Sequence, residues 1–132
     1  GPALQQAHEI QKNAAQIGFD FPNMQDAYGK LEEELEEFKQ AMQENNSDEI
    51  LDEFGDCLFS LVNVGRKLGV SSEMALLSTI HKFRSRFAFI EDQAAIQNKN
   101  IENMSLEEMD ELWEQAKVYL KHQVQNDNKK EE

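Results

Sequence analysis

The sequence predicts an all-α fold, a four- to five-helix bundle, on three observations. Only two prolines occur, Pro2 and Pro22. Strong helix formers fill most of the remaining chain, and no segment alternates apolar and polar residues as a half-buried strand does. At 132 residues the chain has one domain's length, enough to bury a core. That domain is placed at residues 3–122, and the polar stretch 123–132 is expected to be a disordered tail.

A first helix is expected from about Leu4 to Ile17, stopped by Gly18, after which Gly18-Phe19-Asp20-Phe21-Pro22 forms an aromatic connection. The second helix runs from about Met24 to Glu44. Its Leu31, Leu35, Phe38 and Met42 are spaced by three and four, as a buried face requires. Asn45-Asn46-Ser47-Asp48 reads as a turn, with Ser47 as N-cap of a third helix and Asp48 and Glu49 at its positive end. A turn this short pairs helices two and three antiparallel.

The third helix, about Asp48 to Leu68, is apolar on most of its circumference through Ile50, Leu51, Phe54, Cys57, Leu58, Leu61, Val62 and Val64, so a central position is expected. Gly69 closes it and Ser71 or Ser72 caps a fourth helix, in which Leu76, Ile80, Phe83, Phe87 and Ile90 form a heptad-like seam. Residues 97–103 read as polar linker. Ser105-x-x-Glu108 is then a capping box, with Met104 and Met109 placed as its hydrophobic staple. The last helix carries Leu106, Met109, Leu112, Trp113, Ala116 and Leu120 on one side.

Charge narrows the function. With 13 Lys and Arg against 26 Asp and Glu, a net charge of -13 repels a phosphate backbone and an anionic membrane leaflet, so neither nucleic acid nor membrane is expected as a partner. No apolar run approaches a membrane span. Cys57 is the single cysteine, which excludes an intrachain disulfide and a cysteine metal cluster and fits a cytoplasmic setting. Gly1-Pro2 is set aside as a scar or a cut. The start at Ala3 reads as a domain excised from a longer protein, a free-standing domain being the alternative.

The acids are the feature that asks for an explanation. Glutamates on a helix are usually solvated, but Glu34 falls roughly 60° from Leu31, beside Ala41, and Glu37 roughly 60° further round, facing the seam between helices. On the third helix Glu49, Glu53, Asp56, Ser60, Asn63 and Lys67 share one sector of about 100°, a polar strip on an otherwise apolar rod. Antiparallel pairing then brings Glu34 and Glu37 opposite Glu53 and Asp56. Four converging carboxylates cost several kcal/mol unless cations neutralise them. Oxygen-only ligation indicates Mg²⁺, Mn²⁺ or Ca²⁺, with Mg²⁺ the usual ion where a substrate supplies phosphate oxygens. A di-iron site would require Glu-x-x-His pairs, and none of His8, His81 and His122 has a Glu three residues before it.

The pairing of Glu33-Glu34-Leu35-Glu36-Glu37 with Glu53-Phe54-Gly55-Asp56, on helices joined by a short turn, resembles the MazG family of all-α nucleoside triphosphate pyrophosphohydrolases. Further matches are Ile10-Gln11-Lys12 through Pro22, Gly55 through Asn63, Lys82-Phe83-x-x-Arg86-Phe87, and Met104 through Met109 with Leu112-Trp113-Glu114-x-x-Lys117. The resemblance spans nearly the whole chain short of the tail. Two departures are Phe21, where many relatives carry Trp, and a single copy of a domain that full-length relatives often carry twice.

The resemblance implies Mg²⁺, with Mn²⁺ as a substitute, held by Glu34, Glu37, Glu53 and Asp56, with Glu33 in the catalytic motif. It implies that Asn63, Lys82, Arg86, Trp113 and Lys117 meet the substrate. The implied reaction is attack of water on the α-phosphorus of a nucleoside triphosphate, releasing monophosphate and pyrophosphate. The implied assembly is a homodimer or larger homo-oligomer. Two alternatives stand beside it: a non-catalytic helical module for dimerisation or protein binding, and a related hydrolase specific for dUTP or modified nucleotides.

Overall fold

The computed structural model describes residues 1–131. They form five α-helices and no strand: α1 Ala3–Gln16, α2 Met24–Glu44, α3 Ser47–Lys67, α4 Ser72–Ile96 and α5 Leu106–Glu131, with a 3₁₀ turn at Ile101–Asn103. The all-α expectation holds. The chain divides into two compact units, Gly1–Leu76 and Leu77–Glu132, and the span 3–122 covers parts of each.

Helix ends follow local chemistry. At the end of α1 the Gly18 amide bonds the Ala15 carbonyl and the Phe19 amide bonds that of Ala14, each at 3.0 Å. This paired closure needs a left-handed residue, and Gly18 supplies it at φ 95°. Gly69, at φ 75°, repeats the closure after α3, with Val70 bonding Gly65 at 2.8 Å and Gly69 bonding Arg66 at 3.0 Å.

The N-termini are capped by side chains. Asn23 accepts from the Asp26 amide at 2.8 Å and Ser71 from that of Met74 at 3.2 Å. The capping box forms as expected, with the Glu108 amide bonding Ser105 Oγ at 3.1 Å and the Ser105 amide reaching Glu108 Oε1 at 3.4 Å. One cap differs: Asn46, whose Oδ1 accepts from the Glu49 amide at 3.2 Å, caps α3, and Ser47 is its first helical residue. The longer Asn side chain reaches the same orphan amides one position earlier.

In the first unit α2 and α3 pair as a hairpin and α1 lies against α3. Its core is Ala27, Leu31 and Val64, with Phe21 and Met24 packed on it. The packed row of α2 reads Ala27, Leu31, Glu34, Phe38 and Ala41, in steps of four and three. Leu35 and Met42, expected in the buried stripe, are about half exposed. Alanines at the ends of the row let the backbones approach closely, which turns the bulkier stripe outward.

The third helix is correspondingly less enclosed than expected. Its most buried residues are Val62 and Val64, while Leu51, Phe54, Leu58, Leu61 and Leu68 are exposed. Of the seam expected on α4, only Ile90 is buried; Leu76, Ile80, Phe83 and Phe87 are exposed.

In the second unit Ile90 and Ala94 pack on Met104 and Leu112, with Ile101, Met109 and Trp113 around them, so the staple methionines reach the core as expected. The polar stretch from Gln123, expected to be disordered, continues α5 to Glu131. With neither Gly nor Pro after position 105, nothing in the local chemistry stops that helix.

Candidate functional site

The α2–α3 hairpin puts acids where a helical pair normally puts leucines. Glu34 occupies a core position of the packed row on α2 and is 6% exposed. Opposite it, the half-buried or buried row of α3 reads Ile50, Glu53, Cys57, Ser60, Val64 and Lys67, so Glu53 also stands at a packed register. Burial of two carboxylates at such positions is costly unless each is compensated.

Glu34, Glu37 and Glu53 each bring a carboxylate oxygen within 4.8 Å of the others, and Asp52, Glu53 and Asp56 do the same on α3. The acids expected to converge as one set of four are thus two overlapping groups that share Glu53. Asp56 belongs to the second group, and Asp52 completes it. Glu33 joins neither; it is exposed, with its carboxylate 3.8 Å from Lys30 Nζ.

Electrostatics record the crowding. Burial, then the charge and hydrogen bond of Glu37 and the charges of Asp56 and Glu34, push the Glu53 carboxyl up to about 7. Asp56 is raised by burial and by Asp52 and Glu34, against the pull of Lys30. Burial, joined by the four surrounding acids, also raises the Cys57 thiol. Lys30 answers from within the hairpin: its Nζ lies 3.0 Å from Glu34 Oε1, and the hydrogen bond raises the Lys30 pKa.

The second oxygens of Glu34 and Glu53 are buried without a hydrogen-bond partner. Buried carboxylate oxygens are ordinarily satisfied, so two orphans within one oxygen-only cluster fit a hard divalent cation. Among the residues that would hold it, Glu34, Glu37 and Glu53 join across the hairpin and Asp56 flanks them.

The polar strip of α3 continues beyond the acids. Ser60 and Asn63, about 6 and 10 Å along the helix from Asp56, line a cavity of about 560 Å³ that Lys30, Gln11, Phe21 and Phe59 also line. Asn63 Oδ1 accepts from Arg66 Nε at 3.1 Å and Nη2 at 2.8 Å. Arg66 and Lys67 also grip Asp20, at 2.6 and 3.3 Å, and Lys67 Nζ donates to the Phe21 carbonyl at 2.9 Å. The aromatic turn is thereby tied to the end of α3. Burial would raise Asp20, but these bonds outweigh it and hold its carboxyl below the usual value.

The other expected substrate residues lie in the second unit. Arg86 stacks its guanidinium over Trp113, 5.3 Å from the ring centroid, and Phe83 tilts against the same ring at 5.4 Å. Trp113 is half-buried on the core there. Lys117 is exposed and pairs with Glu114 at 3.3 Å; Lys82 is exposed.

Sequence reasoning missed Asp52, Lys30 and Gln11. Gln11 had a legible signal: it sits in the row Leu4, Ala7, Gln11 and Ala14, a polar residue in an otherwise apolar helical face.

The sequence is similar to that of known proteins. Residues 24–88 match the family model of the MazG nucleotide pyrophosphohydrolase domain. Over 116 residues, 88% of this chain and 44% of the relative, the sequence is 43% identical to the nucleoside triphosphate pyrophosphohydrolase/pyrophosphatase MazG of Thermotoga maritima. Over 118 residues, 88% of this chain and 45% of the relative, it is 36% identical to the nucleoside triphosphate pyrophosphohydrolase of Escherichia coli K12. It is also 51% identical over 65 residues to the uncharacterized protein YabN of Bacillus subtilis, covering 13% of that protein. The chain spans less than half the length of the first two relatives.

Proposed function

The chain belongs to the MazG family, and we propose that it hydrolyses nucleoside triphosphates to monophosphate and pyrophosphate with the help of Mg²⁺. One observation carries the reading: Glu34, Glu37 and Glu53 meet across the α2–α3 hairpin within 4.8 Å, with buried oxygens of Glu34 and Glu53 left unpartnered. The relatives' names, both pyrophosphohydrolases of nucleoside triphosphates, support the substrate class.

Glu34, Glu37, Glu53 and Asp56 would hold the ion, and Mn²⁺ would substitute on the same oxygens. A bound divalent cation supplies charge neutralisation toward the triphosphate and acidification of water. The chain's own residues do the rest. Lys30 offsets the charge of Glu34 and adds a cation beside the path of the phosphates. Glu53, whose carboxyl stands at about 7 while its acidic neighbours are not offset, would ionise as a divalent cation is held beside it. Lys82, Arg86, Trp113 and Lys117 are proposed as substrate contacts on the family resemblance alone.

The exposed apolar row Leu51, Phe54, Leu58, Leu61 and Leu68 repeats every three and four residues, with Gly65 filling the remaining step. Such a stripe is uncommon on a monomer's surface, which supports a homodimer assembled over α3. Among the described residues no helix is long and apolar enough to cross a membrane, and a cytoplasmic setting stays part of this reading.

The test is pyrophosphate release from a panel of ribo- and deoxynucleoside triphosphates, including dUTP, with and without Mg²⁺. Metal-dependent release supports the reading. Absence of release across the panel, with the protein folded, would favour the non-catalytic helical module.

A further inference from the structure

Gln11 is the most buried polar residue of α1, only 7% exposed, and its two amide atoms have different fates. Nε2 donates to the Phe59 carbonyl at 2.9 Å, while Oε1 is buried with no partner. The Phe59 carbonyl can only accept, so the amide is pinned with nitrogen toward α3 and oxygen away from it. The side chain lines the 560 Å³ cavity together with Phe19, Phe21, Phe59, Asn63 and Lys30. Pockets that enclose small ligands run roughly 300–1,000 Å³ and combine apolar walls with a few convergent polar groups. This one has three aromatic rings, one fixed acceptor without a donor, and a neighbouring amide on Asn63.

The cavity is also joined to the acidic cluster. Lys30 lines it and bonds Glu34 at 3.0 Å, and Ser60 and Asn63 continue the strip that begins at Glu53 and Asp56. A ligand with a flat apolar end and a polyanionic end would lie along that strip.

We propose that this cavity binds the base of the nucleoside triphosphate, with Gln11 Oε1 accepting a hydrogen bond from an N–H on the base's pairing edge. The inference rests on the hydrolase reading above and adds to it the residue that checks the base. Every common base offers an N–H on that edge, so a lone acceptor does not choose among them. It rejects bases in which that donor is blocked, because the Gln11 oxygen would then stay buried and unpaired. The aromatic walls stack on any base.

The experiment compares kcat/KM for ATP with N6,N6-dimethyl-ATP and for dUTP with N3-methyl-dUTP, in the wild-type protein and in Gln11→Leu. The wild type is expected to favour the unmethylated partner of at least one pair by about tenfold, and Gln11→Leu to lose that preference while inhibition by inorganic tripolyphosphate stays unchanged. Equal use of both partners by the wild type overturns the proposal without need of a variant. So does a Gln11→Leu protein that keeps the preference. If no nucleotide is turned over, the hydrolase reading fails on its own, and calorimetric binding of AMP against N6,N6-dimethyl-AMP still decides the cavity's role: a tenfold preference supports it and equal binding or none overturns it.

Discussion

Lys30 Nζ lies 3.0 Å from the buried carboxylate of Glu34, one turn along the same helix, and offsets part of the negative charge of the acid cluster. Replacing Lys30 with Met leaves Glu34 buried and unpaired. Because the Lys30 side chain is 41% exposed, solvent screening reduces the loss to about 1–2 kcal/mol. Thermal unfolding of Lys30→Met without divalent cation should show the loss, and saturating Mg²⁺ should raise its Tm by more than it raises that of the wild type. An equal Mg²⁺ increment in both proteins would rule out Lys30 as the local counter-charge.

The acid cluster makes a pH prediction with a definite sign. Glu53 rises from an ordinary 4.5 to about 7 in the folded chain, so between those values the folded state binds more protons than the unfolded one. Stability from this group therefore falls as pH rises from about 4.5 to about 7. Asp20 and Glu108, both lowered, act in the opposite sense and lose their contribution as pH falls. The Tm of the metal-free wild type, measured relative to Glu53→Gln, should drop between pH 5 and 8 and recover in Mg²⁺; parallel curves would refute the assignment.

The exposed row on α3 predicts self-association. Leu58→Glu combined with Leu61→Glu places charge in the middle of the stripe and should convert a dimer to a monomer, read by sedimentation equilibrium. Both positions are about half exposed, so helix content should be retained. A double variant with unchanged mass, or a wild type already monomeric at high concentration, would remove the proposed interface.

Arg86 is expected to serve the phosphates rather than the base. Arg86→Ala should weaken binding of a triphosphate about tenfold more than that of the corresponding monophosphate, the scale of one lost charge-assisted contact. It also removes the stacking on Trp113, worth about 0.5–1 kcal/mol, so stability is measured in parallel. Equal losses for both nucleotides would argue against a phosphate role.

What could be read in the sequence was what local chemistry decides. Gly18, Gly69 and the Ser105–Glu108 box set helix ends within a few residues, because caps depend on neighbouring atoms alone. The buried face of α2 was harder: hydrophobicity favoured Leu35 and Met42, whereas packing against α3 selected the alanine-flanked row that contains Glu34. Glu34, Glu37, Glu53 and Asp56 could be picked out because helical spacing puts them on facing sides. Their division into two groups, and the part of Asp52, depend on side-chain reach across the hairpin, which spacing does not encode. The continuation of α5 past Gln123 runs against the polarity of that stretch and follows from its lack of any helix breaker.

If acids at core positions of the α2–α3 hairpin hold a divalent cation for triphosphate hydrolysis, removing one of their charges must remove turnover. The decisive comparison is pyrophosphate release from a nucleoside triphosphate in Mg²⁺ by the wild type and by Glu53→Gln. Metal-dependent release is expected from the wild type, and a fall on the order of a hundredfold or more in the variant, with its circular dichroism unchanged. A folded Glu53→Gln protein that retained full Mg²⁺-dependent turnover would contradict it.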